Sequence, residues 1–166
     1  GQLSAAASKP NATRMPVPAI GTAAPDFTLP STAGTDVTLS ALAGKNVLLA
    51  FFPLAFTRVC TAELCAFSED LDSFRAAGTM VLPISVDSVP SLKAFKAQEM
   101  MTVDLLSDFK RQVSRAYGTL LEDKFHSKRA YVLIDQSGLV RWTHEEAEAG
   151  HRRENAELLA QIKALG

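Results

Sequence analysis

Residues 47–60 of the chain, VLLAFFPLAFTRVC, decide its fold. Residues 47–52 are a continuous apolar run of strand length, which predicts a strand buried on both faces at the centre of a sheet. After residue 61, apolar residues recur at helical spacing, namely Leu64, Phe67, Leu71 and Phe74, and Gly78 follows as a C-terminal cap. The stretch therefore predicts a central strand that leads through a short loop into one long helix.

Strand and helix patterns alternate on either side of this stretch. Residues 24–30 and 36–39 predict an opening hairpin that turns at Gly34. Further strands are predicted at 80–86, 105–106, 130–134 and 139–142, and further helices at 91–98, 110–117 and 153–165. These elements predict an α/β fold in which a central mixed β-sheet, with an antiparallel edge, has helices on both faces and an N-terminal β-hairpin.

Pro83 conflicts with the strand predicted at 80–86. Proline has no amide hydrogen to donate to a sheet, so it is normally confined to an edge strand or a bulge. This residue therefore predicts an edge or an irregularity at that position.

Composition restricts the class of protein. The chain has 166 residues, 47% hydrophobic and 21% charged, which is typical of one soluble globular domain. With a net charge of -1, the chain lacks the broad basic surface that nucleic-acid binding usually requires, so nucleic acid is not an expected partner. No apolar run approaches the roughly 20 residues of a membrane-spanning helix, and no membrane association is expected.

The first 17 residues differ in composition from the rest. They are mostly small and polar, with no acid and no apolar core of signal-peptide length. This composition predicts a flexible tail at 1–17 and a folded domain at 18–166, although it would also suit the remnant of an organelle-targeting peptide. The chain has two cysteines, close together, which favours thiol chemistry in a reducing compartment such as the cytoplasm over a disulfide framework.

Cys60 lies where the central strand gives way to the long helix. In open α/β sheets, the loops at the carboxyl ends of strands lie beside helix N-termini. The unpaired N–H groups and the positive end of the helix dipole favour an anion there, and a thiolate is such an anion. We therefore expect Cys60 to be a reactive nucleophile.

The residues around Cys60 carry a family resemblance. Pro53, Thr57 and Cys60 spell PxxxTxxC, and the chain closely resembles the peroxiredoxin family over about residues 20–165. The resemblance extends to APDFTLP at 24–30, ISVDS at 84–88 and Arg129 ahead of YVLID at 131–135. FFPLAFT is similar to the alkyl hydroperoxidase E group. A second cysteine five positions after Cys60 is similar to the bacterioferritin-comigratory-protein or Q group.

The resemblance implies a thioredoxin-like fold and a thiol-dependent peroxidase. Cys60 would attack the terminal oxygen of hydrogen peroxide or an organic hydroperoxide and become a sulfenic acid. Thr57 and Arg129 match the donors that stabilise the reacting oxygens, and Pro53 would shield the sulfur from water. Glu63, one helical turn after Cys60, would orient Arg129. No cofactor and no metal are implied.

Cys65 would be the resolving cysteine under the same resemblance. It would attack the sulfenic acid to form an intramolecular disulfide, which thioredoxin, glutaredoxin or a similar redoxin would reduce. Five residues of ideal helix separate two Cα atoms by about 8 Å, beyond the roughly 7 Å limit for a disulfide, so the helix must unwind locally first. Cys65 also lies beside the apolar stripe of the helix and could be a core residue only. A monomer and a homodimer are both compatible with the sequence.

Two other thiol functions compete with the peroxidase. A thioredoxin-like copper-binding chaperone also uses paired cysteines and a distant histidine, but that group has three residues between its cysteines and this chain has four. The three histidines, His126, His144 and His151, show no ligand spacing with the cysteines. A dithiol–disulfide exchanger is the other alternative, and the absence of a CxxC motif weakens it.

Overall fold

The structure is a computed structural model that describes residues 16–166. The predicted tail, 1–17, lies outside the described residues except for its last two, so the division into tail and domain stays a prediction. The strands are β1 (Thr28–Pro30), β2 (Asp36–Thr38), β3 (Asn46–Phe51), β4 (Thr79–Ser85), β5 (Leu106–Ser107), β6 (Leu120–Leu121), β7 (His126–Ser127), β8 (Ala130–Ile134) and β9 (Val140–Glu145). The helices are a 3₁₀ turn (Leu39–Leu42), α1 (Arg58–Glu69), α2 (Leu71–Ala76), α3 (Val89–Gln98), α4 (Gln112–Ala116) and α5 (Asn155–Lys163).

The main sheet has five strands in the order β5-β4-β3-β8-β9. Strands β5, β4 and β3 are parallel, whereas β8 and β9 are antiparallel to their neighbours. Strand β3 is in the middle, and all six of its residues are buried. The prediction of a central strand in a mixed sheet with an antiparallel edge is confirmed.

The two faces of the sheet are covered by different elements. Leu48, Ala50 and Phe52 point to a core filled by residues of α1, α2, α3 and α5. The alternate residues Val47 and Leu49 point to a second core beneath the β1–β2 hairpin, the 3₁₀ turn and α4. Helices on both faces and an opening hairpin are therefore confirmed, with most of the helical cover on one side.

Pro83 lies inside β4 without a bulge, but β4 has no paired neighbour on one side at this residue, so the expectation of an edge position is confirmed. Hydrogen bonds from Asn46 N to Gly78 O and from Phe52 N to Ile84 O show that even-numbered residues on this strand bond to β3. The nitrogen of Pro83 faces the other side, where pairing with β5 begins only at Ile84. The missing donor therefore breaks no ladder hydrogen bond.

The helix predicted as one element over residues 61–74 is two helices, α1 and α2, which meet at Asp70. Asn155 Nδ2 donates to Ala66 O at 2.9 Å and to Asp70 Oδ2 at 2.8 Å, and these bonds hold the junction. At its other end α1 begins at Arg58, which places Cys60 third in the helix.

The short β6–β7 hairpin and the 3₁₀ turn were not predicted, because two to four residues give no measurable periodicity. Strand β9 extends three residues beyond the predicted end, to Glu145. No helix within residues 16–166 is long and apolar enough to span a membrane.

Candidate active site

Cys60 lies in the first turn of α1, just beyond the carboxyl end of β3, and is 1% exposed. The loop that connects β3 to α1 is held by Asp87, which follows β4. Asp87 Oδ2 accepts hydrogen bonds from Ala55 N in this loop at 2.8 Å and from Ser85 Oγ at 2.7 Å. The sulfur is therefore fixed at a helix N-terminus by a loop with few degrees of freedom.

Arg129 reaches Cys60 from the residue before β8, which pairs with β3. Its guanidinium is 1% exposed, and Nη2 donates to Cys60 Sγ at 3.2 Å and to Ala149 O at 3.0 Å. Nη1 donates to Glu63 Oε1 at 2.7 Å. A cation that donates to sulfur stabilises the thiolate form.

Glu63 lies on α1 one turn after Cys60 and is also 1% exposed. Besides Arg129, it accepts a hydrogen bond from the hydroxyl of Tyr131 at 2.5 Å. Burial raises the pKa of the Glu63 carboxyl, and the charge of Arg129 and the hydroxyl of Tyr131 oppose that rise. The contact that the orienting role requires is present, while the role itself stays a prediction.

Thr57 is the N-cap residue of α1, but its side chain makes no capping hydrogen bond. Its exposed hydroxyl donates instead to Leu54 O at 2.7 Å. The hydroxyl proton is thereby committed to the loop backbone in this state, so a bound oxygen would have to compete with Leu54 O for it.

Pro53 is buried and lies in the wall of a cavity of about 410 Å³. Arg129, Glu146 and Ala149 line the same cavity, whereas Cys60 and Thr57 do not. Within residues 16–166 the Nε of Arg129 is buried and has no hydrogen-bond partner. The cavity is therefore lined by an arginine whose Nε–H has no hydrogen-bond partner among the described residues.

Cys65 lies further along α1, half-buried, with its sulfur 3.9 Å from Glu99 Oε1. Burial raises the pKa of the Cys65 thiol, and the carboxylates of Glu99 and Glu69 raise it further. Both cysteines are free thiols, and α1 is continuous between them. The structure places the two predicted partners on one intact helix.

A further layer of residues, which was not predicted from the sequence, lies behind Arg129 and Glu63. Tyr131, buried in β8, donates to Glu63 and accepts from Arg153 N at 3.0 Å. Arg153 Nε donates to Glu146 Oε2 at 2.7 Å, and Glu146 N donates to Arg129 O at 2.9 Å. One signal was available: a tyrosine in the otherwise aliphatic strand AYVLI needs a partner for its hydroxyl when buried.

Among residues 16–166, no hydrogen bond joins a histidine to either cysteine, although His151 lines a cavity with Arg58, Val59 and Ala62 beside Cys60. His144, on β9, stacks on Trp142 with ring centroids 6.1 Å apart. Among the described residues, no group of three or more His, Cys, Asp and Glu side chains could hold a metal ion.

Comparisons with known proteins give one consistent family. A protein-family model described as the AhpC/TSA family matches residues 20–143. The chain is 38% identical over 150 residues to alkyl hydroperoxide reductase E of Mycobacterium tuberculosis, covering 87% of this chain and 98% of that protein. It is 32% identical over 140 residues to peroxiredoxin Bcp of Escherichia coli, covering 81% of this chain and 90% of that one.

Solved structures share the fold. The reduced 2-Cys peroxiredoxin of Plasmodium vivax superimposes with a TM-score of 0.82 at 34% identity, covering 89% of this chain and 82% of that one. AhpC of Enterococcus faecalis gives a TM-score of 0.82 at 24% identity, covering 88% and 91%. The predicted thioredoxin-like α/β fold is confirmed.

Proposed function

This chain belongs to the AhpC/TSA family and is a peroxiredoxin, a thiol peroxidase, and on that premise we propose that Cys60 is its peroxidatic cysteine, acting on hydrogen peroxide and organic hydroperoxides. The observation that carries the proposal is the 3.2 Å contact between Arg129 Nη2 and Cys60 Sγ at the N-terminus of α1. Cys65, the other thiol, contacts a carboxylate.

In the proposed reaction the thiolate of Cys60 attacks the terminal oxygen of the peroxide. The S–O bond forms as the O–O bond breaks, and the leaving oxygen takes the electron pair and a proton, which gives water or an alcohol and a sulfenic acid on Cys60. Negative charge moves from sulfur to the leaving oxygen. A fixed guanidinium stabilises that charge better than water would, because it needs no reorganisation during the step.

The neighbouring residues have separate parts in this proposal. The free Nε–H of Arg129 is a donor that can hold a peroxide oxygen. Thr57 would give up its bond to Leu54 O and donate to the same peroxide. Pro53 limits water access from the cavity, and Glu63 fixes one edge of the guanidinium.

Cys65 resolves the sulfenic acid in the second half of the proposed cycle. Its thiolate attacks the sulfur of Cys60, an S–S bond forms, and the hydroxyl leaves as water after protonation. This step requires α1 to open. Its first turn is the end that can open, because Thr57 and Arg58 are exposed, whereas Asn155 bonds the opposite end at Ala66 and Asp70.

A thioredoxin-type protein then reduces the disulfide and returns both thiols. This reductant and a reducing compartment such as the cytoplasm complete the proposal. A general dithiol–disulfide exchanger would carry out this last step as well. The guanidinium beside Cys60 favours the peroxidase over such an exchanger, because it is suited to stabilise a reacting oxygen.

Stopped-flow consumption of hydrogen peroxide and of a longer-chain hydroperoxide tests the proposal. We expect Cys60→Ser to abolish the reaction with both substrates, and Cys65→Ser to keep the first turnover and lose recycling by thioredoxin. If Cys60→Ser keeps the wild-type rate constant, the proposal is wrong.

A further inference from the structure

Tyr131 is the buried residue that joins Glu63, and through it Arg129, to the segment between β9 and α5. Its side chain is fully buried, its hydroxyl donates to Glu63 Oε2 at 2.5 Å, and the same oxygen accepts from the backbone N–H of Arg153 at 3.0 Å. A tyrosine hydroxyl has one proton to donate, so its direction is fixed by the two partners.

These contacts form a closed circuit around Arg129. The guanidinium bonds to Glu63, Glu63 to Tyr131, and Tyr131 to the backbone of Arg153. The side chain of Arg153 bonds to Glu146, whose backbone N–H donates to the carbonyl of Arg129 itself. Every link is 3.0 Å or shorter.

The circuit also fixes the second contact of the guanidinium. Nη2 of Arg129 is shared between Cys60 Sγ and Ala149 O, and Ala149 lies in the exposed segment between Glu146 and Arg153. Tyr131 therefore bonds directly to one acceptor of the guanidinium, Glu63, and to Arg153, which ends the segment that carries the other acceptor, Ala149.

We propose that Tyr131 is a positioning residue for the peroxidase reaction: its hydroxyl holds Glu63 and the 146–153 segment so that Arg129 is aligned with both Cys60 and the peroxide. The inference rests on the proposed function of Cys60. It assigns to a strand residue with no direct contact to sulfur a share of the reactivity towards peroxide.

Phenylalanine at position 131 would keep the ring and remove the hydroxyl. Glu63 would then rely on Arg129 alone in a buried site, and the N–H of Arg153 would lose its acceptor. Reacting groups lose much of their rate advantage when misplaced by an ångström or less, so we expect the rate constant with hydrogen peroxide to fall about tenfold.

The test compares two reactions of the same sulfur. Alkylation by iodoacetamide requires only a thiolate, whereas peroxide reduction also requires an aligned donor for the leaving oxygen. Rate constants are measured at the high-pH plateau of each variant, in a Cys65→Ser background so that Cys60 is the one thiol. We expect Tyr131→Phe to lower the ratio of the peroxide to the iodoacetamide rate constant about tenfold, with alkylation changed less than about twofold.

Tyr117→Phe is the matched control. Tyr117 is equally buried and its hydroxyl donates to Pro25 O at 2.6 Å, but its ring packs in the other core, against Phe27 and Phe51. We expect it to leave the ratio unchanged. Equal ratios in the Tyr131→Phe and Tyr117→Phe variants would overturn the inference.

A double-mutant cycle separates positioning from general packing. If Tyr131 acts through Glu63, Tyr131→Phe should have little further effect on the ratio in a Glu63→Gln background. If the two substitutions instead lower the ratio independently, so that their effects multiply, the inference is wrong.

If Tyr131→Phe does not fold, Glu146→Gln supplies the second test. This substitution weakens the ion pair that holds Arg153 and should lower the ratio by about threefold. An unchanged ratio in Glu146→Gln would contradict the inference.

Failure of the inference and failure of the proposed function give different results. If Cys60→Ser still reduces peroxide, the proposed function is wrong whatever Tyr131→Phe does. If Cys60 is required and the ratio is insensitive to position 131, the proposed function holds and the positioning role of Tyr131 is wrong.

Discussion

The two cysteines of α1 are the same residue type on the same helix, yet their neighbours carry opposite charge. Cys60 is buried against the guanidinium of Arg129, whereas Cys65 is half-buried and faces Glu99. The first sulfur accepts a hydrogen bond from a cation, whereas burial together with two carboxylates raises the pKa of the thiol at the second position.

This difference comes from other elements and not from the helix. Arg129 precedes β8 and is 69 residues from Cys60, while Glu99 follows α3 and is 34 residues from Cys65. The helix dipole adds to the contrast, since it is felt mainly in the first turn, where Cys60 lies. Under the proposed function, this contrast leads us to expect that Cys60 reacts first and that Cys65 acts as a nucleophile only in the second step.

The largest expected effect is at the guanidinium that distinguishes Cys60. We expect Arg129→Met to lower the rate constant with hydrogen peroxide by about 100- to 1,000-fold, as for loss of one fixed donor at a developing oxyanion. Unpairing the buried Glu63 should also lower the free energy of unfolding by about 3–5 kcal/mol. Stopped-flow kinetics and urea denaturation measure the two effects.

Arg129→Lys is the control that keeps the charge. Lysine lacks the planar fork and cannot reach Cys60, Glu63 and Ala149 together, so we expect a rate between those of the wild type and Arg129→Met. A wild-type rate in Arg129→Met would remove the basis of the contrast between the two cysteines.

The next effect concerns Cys65 alone. We expect Cys65→Ser to react once with peroxide at a rate within about twofold of the wild type, because Arg129 and Cys60 are untouched. Turnover with thioredoxin should fall by about tenfold or more, because the sulfenic acid has no partner thiol and oxidises further. Coupled turnover assays and intact mass measure these outcomes, and unimpaired turnover would show that Cys65 does not resolve.

How much of this could be predicted depends on the range of the interaction. The central strand, the helix after it and the reactive position of Cys60 follow from residues adjacent in sequence. The break at Asp70 could not, because Asn155, 85 residues away, bonds to it. Pro83 indicated a local edge, but which side of β4 is unpaired there depends on the pairing register, and the hydrophobic pattern does not encode that register.

The residues of the site divide in the same way, into those that nearby sequence reveals and those that depend on distant contacts. The motif located Cys60, Pro53 and Thr57, and the family resemblance added Arg129 and Glu63. Tyr131 was overlooked because, in sequence, it is one aromatic residue in a buried strand. Its meaning arises only when the fold brings its hydroxyl to Glu63, 68 residues away.

The smallest expected effect is electrostatic and concerns Glu99. In a Cys60→Ser background, alkylation of Cys65 should reach half its maximal rate at a higher pH than alkylation of an ordinary thiol does. The reason is that burial and the nearby carboxylates raise the pKa of the Cys65 thiol. Glu99→Gln removes one negative charge, so it should lower that midpoint and speed alkylation at pH 8 by about two- to threefold.

Glu122→Gln is the control for Glu99, because Glu122 is an exposed acid paired with Arg115 in a different region. It should leave the alkylation profile of Cys65 unchanged. A midpoint that does not move in Glu99→Gln would show that the contact with Glu99 does not set the reactivity of Cys65.

The most direct test of the central claim is to locate the first oxidation. One equivalent of hydrogen peroxide is added to the Cys65→Ser and Cys60→Ser variants in the presence of dimedone, and the tryptic peptide of residues 59–75, which contains both positions, is sequenced by mass spectrometry. We expect a dimedone adduct on Cys60 in the first variant and no rapid adduct in the second. A rapid adduct on Cys65 in the Cys60→Ser variant, with peroxide consumption retained, would contradict the claim.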